Sequence, residues 1–144
     1  MSTKIAVASD HAGFAYKALI SEHLEAAGYE VLDLGTLVNE RVDYPDYGHA
    51  IGKAVVAGQA PFGIAVCGSG IGICIAANKI AGARAATVHD VTSARLTRQH
   101  NDANIMCVGE RFLGPQVVLD CVDAFLAAEF EGGRHAGRVA KLEQ

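Results

Sequence analysis

The segment Phe62–Lys79, F-G-I-A-V-C-G-S-G-I-G-I-C-I-A-A-N-K, constrains this chain more than any other stretch. It opens on a short apolar run, Phe62–Val66, with the length and β-branched character of a buried strand. A turn follows with Gly68, Gly70 and Gly72 at alternate positions, and Ile73–Lys79 predicts the start of a helix. Glycines admit φ > 0 and let a ligand approach the main chain closely. Ahead of a helix N-terminus, such a turn aims several N–H groups at one point and makes an anion site. Cys67 stands at the entrance of this loop and Ser69 inside it. A thiol beside clustered N–H dipoles is favoured as the thiolate, which points to chemistry beyond phosphate binding.

The strand–helix pattern recurs along the chain. Residues 4–10 predict a first strand ending at Asp10, and a helix runs from about His11 to Ala27. On that helix Tyr16, Leu19, Ile20, Leu24 and Ala27 share one face, with Lys17, Ser21 and Glu25 opposite. Glu30–Leu34 predicts a second strand, residues 36–45 a polar connector, and Asp46 to about Ala57 a weaker helix. Beyond the opening segment, Ala83–His89 and Ile105–Val108 predict strands four and five. Asp90 or Thr92 caps the helix between them, which runs towards Gln99. Pro115 starts a long helix with Val118, Cys121, Val122 and Phe125 at helical spacing, and the tail from about 130 to 144 predicts one more short helix. Alternation of this kind predicts an α/β fold with a five-stranded parallel sheet covered on both faces. Ligands of such sheets bind at the carboxyl ends of the strands, where the strand order reverses. If the first strand neighbours the third, Asp10–His11 and Cys67–Gly72 line one crevice there.

The 144 residues suit a single domain, 1–144. Half of them are hydrophobic, supplied by small and aliphatic residues with no Trp. The net charge of −4 gives no general pull towards nucleic acid or anionic membrane. No apolar run reaches the ~20 residues of a membrane span. Lys4 leads straight into a strand-like run with no signal-peptide pattern, so a cytoplasmic protein is expected. Cys67, Cys74, Cys107 and Cys121 lack C-x-x-C spacing, and a buried reduced thiol is the plain expectation for three of them.

Several motifs admit two readings. The loop lacks the G-K-[ST] of a Walker A motif. It approximates a dinucleotide fingerprint, with Gly68 and Gly70 in place, Ile73 at the third glycine position and Asp90 where a ribose-binding acid would stand. That assignment leaves Cys67 without a role. His23, His49 and His89 read as structural or solvated, whereas His11 follows Asp10 at a strand end and His100 opens H-N-D after a helix with Arg95 and Arg98. Arg134 and Arg138, four apart, share a helix face and read either as a solvated basic face or as a phosphate grip.

Together, S-D-H-A-G-F, D-Y-P-D-Y, C-G-S-G-I-G-I-C-I-A-A-N-K, R-Q-H-N-D-A-N and E-G-G-R-H-A-G-R-V resemble the ribose-5-phosphate isomerase B family, which includes galactose-6-phosphate and allose-6-phosphate isomerases. The likeness runs in order over nearly the whole chain. It implies a Rossmann-like three-layer α/β/α sandwich, a homodimer or tetramer with the active site at the subunit interface, and an aldose–ketose isomerase of sugar phosphates that needs no metal or other cofactor. It implies Cys67 as the base moving a proton between C1 and C2. The family's glutamate-using branch would carry that acid where Ile73 stands. Ser69 and the Gly68, Gly70, Ile71 and Gly72 backbone then face the enediolate oxygens. His100, assisted by Asp10, opens the sugar ring. His11, Arg134 and Arg138 hold the phosphate, Tyr44, Asn101 and Arg111 make further substrate contacts, and Cys74 is a packing variant.

Overall fold

The computed structural model describes residues 2–144. Strands β1 (Lys4–Ser9), β2 (Glu30–Asp33), β3 (Phe62–Cys67), β4 (Ala85–Thr87) and β5 (Ile105–Gly109) form one parallel sheet in the order β2-β1-β3-β5-β4. The helices are α1 (Phe14–Ala26), α2 (Tyr44–Val56), α3 (Ile71–Asn78), α4 (Val91–Asn101), α5 (Pro115–Ala127) and α6 (Arg134–Leu142).

Successive strand residues point to opposite faces, so each inner strand feeds two cores. Ile5, Val7, Ile64, Val66, Met106 and Val108 pack with Ile20 and Leu24 of α1 and Val118, Val122 and Phe125 of α5. Their neighbours Ala6, Ala8, Ala65, Cys67 and Cys107 pack with Ile51 and Val55 of α2 and Ile73 and Ala77 of α3. Burial on both faces is why these strands read as unbroken apolar runs. The result is the three-layer α/β/α sandwich. A fully enclosed Ile, Val or Phe such as Ile5, Val122 or Phe125 contributes about 1.5–3 kcal/mol by leaving water.

Four local features depart from the expected pattern. His11–Gly13 forms a 3-10 turn before α1, with Asp10 Oδ1 accepting the Gly13 N–H at 3.1 Å. Lys17, placed by periodicity on the solvent face of α1, is buried. Its ammonium donates to Asp33 Oδ1 at 2.6 Å and to the Thr36 carbonyl at 2.8 Å, tying α1 to the end of β2 and the connector beyond. Helix α2 begins at Tyr44, not Asp46, because Pro45 is tolerated in a first turn. Strand β4 shrinks to Ala85–Thr87, since the Arg84 N–H is taken by Asn104 Oδ1 at 2.8 Å. Helix α4 starts at a capping box in which Asp90 and Ser93 satisfy each other's backbone N–H. Asp90 therefore serves the helix, not a ribose. α4 runs on through His100 to Asn101 and stops at Asp102, a residue at φ 48°.

Candidate active site

The chain leaves β1 towards β2 and returns to β3 on the other side of β1, so the loops after β1 and β3 part at this point. A cleft of about 450 Å³ opens there, and Asp10, His11, Tyr44, Cys67, Ser69 and Arg111 all face it. The expected adjacency of the Asp10–His11 and Cys67–Gly72 loops is thus observed. Strands β4 and β5 exchange places relative to a flavodoxin-like order, which leaves β5 beside β3 and brings the turn after β5 to the cleft as well.

The loop after β3 is braced by that turn. Glu110 and Arg111 donate their N–H groups to the Cys67 and Gly68 carbonyls, each at 3.0 Å. Gly70 takes φ +74°, and a Cβ there would lie 2.6 Å from the Val108 carbonyl carbon, so only glycine lets the loop lie on β5. A Cβ on Gly72 would fall 2.5 Å from the Tyr44 ring, which rests on this bare backbone and walls the cleft. Two of the loop's N–H groups are engaged internally. Gly70 donates to Cys67 Sγ at 3.2 Å and Ile71 to Ser69 Oγ at 3.1 Å. The first aims a dipole at the sulfur, an interaction stronger with a thiolate than with a thiol. His11 Nδ1 accepts the Val42 N–H at 3.1 Å, which leaves the ring's proton on Nε2. His11 thus presents a neutral donor, and its other edge is fixed by the connector.

The remaining thiols are enclosed. The Cys107 thiol is held well above its usual range by its hydrogen bond to Cys74 and by burial. The same bond from Cys107, with help from Thr87, brings Cys74 down to about 6. Cys74 lies in the core between the sheet and α3, outside the cleft lining. Burial raises Cys121 to about 11.

A second group of expected site residues lies elsewhere. His100, Asn101, His135 and Arg138 line a separate depression of about 270 Å³ between the end of α4 and α6. Arg134 and Arg138 share α6 and are both exposed. In a parallel α/β unit each helix returns to the edge where the next strand begins. His100 therefore sits beside the start of β5, while Cys67 pairs with Gly109 at its end. Those edges are separated by the length of β5, roughly 13 Å at ~3.3 Å per residue. A single subunit brings Asp10 to Cys67 but does not bring His100 to either. Arg98, which the sequence groups with His100, is a core residue: its guanidinium bonds Asp102 at 2.7 Å and lies 4.6 Å from the Phe62 ring centroid. Glu131 was not singled out by its sequence context, yet its carboxylate stands beside both His100 and His135.

Solved structures share this architecture. The chain superposes on Clostridium thermocellum ribose-5-phosphate isomerase B with a TM-score of 0.97 at 51% identity, covering 98% of this chain and 95% of that one. It superposes on ribose-5-phosphate isomerase B from Mycoplasma genitalium with bound ribulose-5-phosphate with a TM-score of 0.94 at 42% identity, covering 99% and 95%. Among curated proteins, it is 48% identical over 139 residues to ribose-5-phosphate isomerase B of Escherichia coli K12, covering 96% of this chain and 93% of that protein. The fold and these relatives make this chain an aldose–ketose isomerase. A family profile described as Ribose/Galactose Isomerase matches residues 5–142, and the chain belongs to that family.

Proposed function

We propose that this enzyme interconverts D-ribose 5-phosphate and D-ribulose 5-phosphate by ring opening followed by a cis-enediolate, with Cys67 as the base. The observation that carries this reading is the position of Cys67 Sγ at the end of β3. It faces a cleft of sugar size, receives an N–H from its own loop, and shares that cleft with Asp10 and Arg111. A proton on a carbon alpha to a carbonyl leaves only if the developing oxyanion is met by fixed donors. The N–H groups of the Gly68–Gly72 loop other than those of Gly70 and Ile71, together with the Ser69 hydroxyl, are the donors at hand. Arg111 and Tyr44 flank the sugar, and His11 offers its Nε2–H to the phosphate.

Ring opening needs an acid–base pair on the other side of the sugar. His100 supplies the proton-transfer group, and Asn101, Arg134 and Arg138 the substrate contacts around it, but at the opposite edge of the sheet. A second copy of the chain brings that set to Cys67. In this homodimer the partner subunit's His100 faces Asp10, and its arginines hold the phosphate. Ile71, Ile75 and Tyr44 are exposed around the Cys67 cleft, at 50%, 56% and 43%, and give it an apolar rim suited to cover by a partner.

Mixing two defective chains tests this arrangement. Cys67→Ser removes the base, and Arg134→Ala/Arg138→Ala removes two charge-assisted contacts, raising KM by on the order of 100-fold or more. Co-refolded in equal amounts, they should recover about a quarter of wild-type activity at low substrate, because half the dimers then hold one intact site. Recovery no greater than the sum of the two variants alone would place the whole site within one subunit.

A further inference from the structure

The His100 ring in the last turn of α4 lies flat against that of His135 on α6, with centroids 4.5 Å apart and planes 13° from parallel. His135 is buried, and its Nε2 has no hydrogen-bond partner. His100 remains open, with 37% of its side chain exposed to the depression it shares with Arg138. The Glu131 carboxylate, on the strap leading into α6, stands 3.9 Å from His100 Nε2 and 3.7 Å from His135 Nε2. Backbone holds it there: Glu131 donates its N–H to the Gln99 carbonyl and His135 to that of Gly132, both at 3.0 Å.

Two histidines and a carboxylate suggest a metal, but co-facial rings direct their in-plane lone pairs side by side, not to one tetrahedral centre. The cluster is instead suited to holding one proton. Two stacked imidazoles cannot both charge cheaply. Burial, and then the charge of Arg134, push His135 below its usual range, so His135 is the neutral ring of the pair. An imidazolium is favoured on the face of a neutral ring and at the C-terminus of a helix. Around His135, Arg134 and Arg138 on α6 oppose a charge and Glu131 favours one. On α4, Arg98 is already paired with Asp102 at 2.7 Å.

Given the ring-opening role assigned above to His100, we propose that Glu131 and His135 are its positioning residues. Glu131 is the counter-charge for the proton that His100 takes from the sugar, and His135 is the neutral plate that fixes the ring plane. In that step the anomeric O–H bond breaks and an N–H bond forms on His100. The freed electron pair makes the C1 carbonyl, and the C1–ring oxygen bond breaks towards the ring oxygen, which is protonated from water or through Asp10.

The test compares kcat for ribose 5-phosphate, which cyclises, with kcat for erythrose 4-phosphate, whose phosphorylated O4 prevents a furanose. Glu131→Gln keeps the hydrogen-bonding shape and removes the charge. It should lower kcat for ribose 5-phosphate about 10-fold, leave KM unchanged and spare the four-carbon sugar. His135→Phe keeps the plate and should keep the rate, whereas His135→Ala should lose it on ribose 5-phosphate alone. Equal losses on both sugars, no loss, or His135→Phe as impaired as His135→Ala would each overturn the proposal. His100→Gln run in parallel separates the two claims. If it shows no preference between the sugars, the ring-opening role fails; if it does and Glu131→Gln does not, only the positioning role fails.

Discussion

Cys67→Ser is expected to lose nearly all isomerase activity, with kcat lowered by on the order of 10³-fold or more, while the protein still folds and binds sugar phosphate. The substitution keeps the shape at the end of β3 and a hydroxyl that can accept the Gly70 N–H. What it removes is a group that ionises readily enough to take a proton from carbon. No other thiol can stand in. Cys107 and Cys121 are fully buried, and Cys74 is turned towards Cys107 in the core. Cys74→Ala is therefore the matched control and should retain activity. Melting temperature and the affinity for a non-reactive phosphate analogue report fold and binding in the same samples. A Cys67→Ser enzyme with wild-type kcat would end the assignment of Cys67 as base.

His100→Gln is expected to cost about 100-fold on ribose 5-phosphate and little on erythrose 4-phosphate, because general acid–base help at ring opening is typically worth ~10²–10⁴. Its effect differs in kind from that of Cys67. As the proposed base, Cys67 would act on every substrate, since every substrate must lose the proton alpha to its carbonyl. His100 matters only while the sugar is closed. Steady-state assays of both sugars on both variants give a two-by-two pattern, and equal losses for His100→Gln on the two sugars would contradict the assignment.

Much of the layered fold was legible because β-strands buried on both faces spell themselves as apolar runs, and helices betray their inner face by spacing. Lys17 and Arg98 escaped that logic. A periodic pattern assigns charge to solvent, but each lies along apolar surroundings on its stem and delivers its charge to a fixed partner, Asp33 for one and Asp102 for the other. The strand order beyond β3 has no local signal, and the exchange of β4 and β5 is what places Glu110 and Arg111 behind the Cys67 loop. The separation of His100 from Cys67 was partly readable. His100 lies in the last turn of the helix that leads into β5, Cys67 ends β3, and in a parallel sheet those positions lie at opposite edges. The stack of His100 on His135 joins residues from different helices, and Glu131 is brought alongside by the hydrogen bond of its strap to Gln99, so no single motif announces it.

The most direct test is kcat/KM for ribose 5-phosphate set against six-carbon phosphates such as allose 6-phosphate and galactose 6-phosphate, measured on the unmodified protein. On the proposed reading the reacting carbons lie at Cys67, and the predicted result is reversible formation of ribulose 5-phosphate with the highest kcat/KM of the panel. No interconversion of ribose 5-phosphate and ribulose 5-phosphate, or a higher kcat/KM for a six-carbon phosphate, would contradict it.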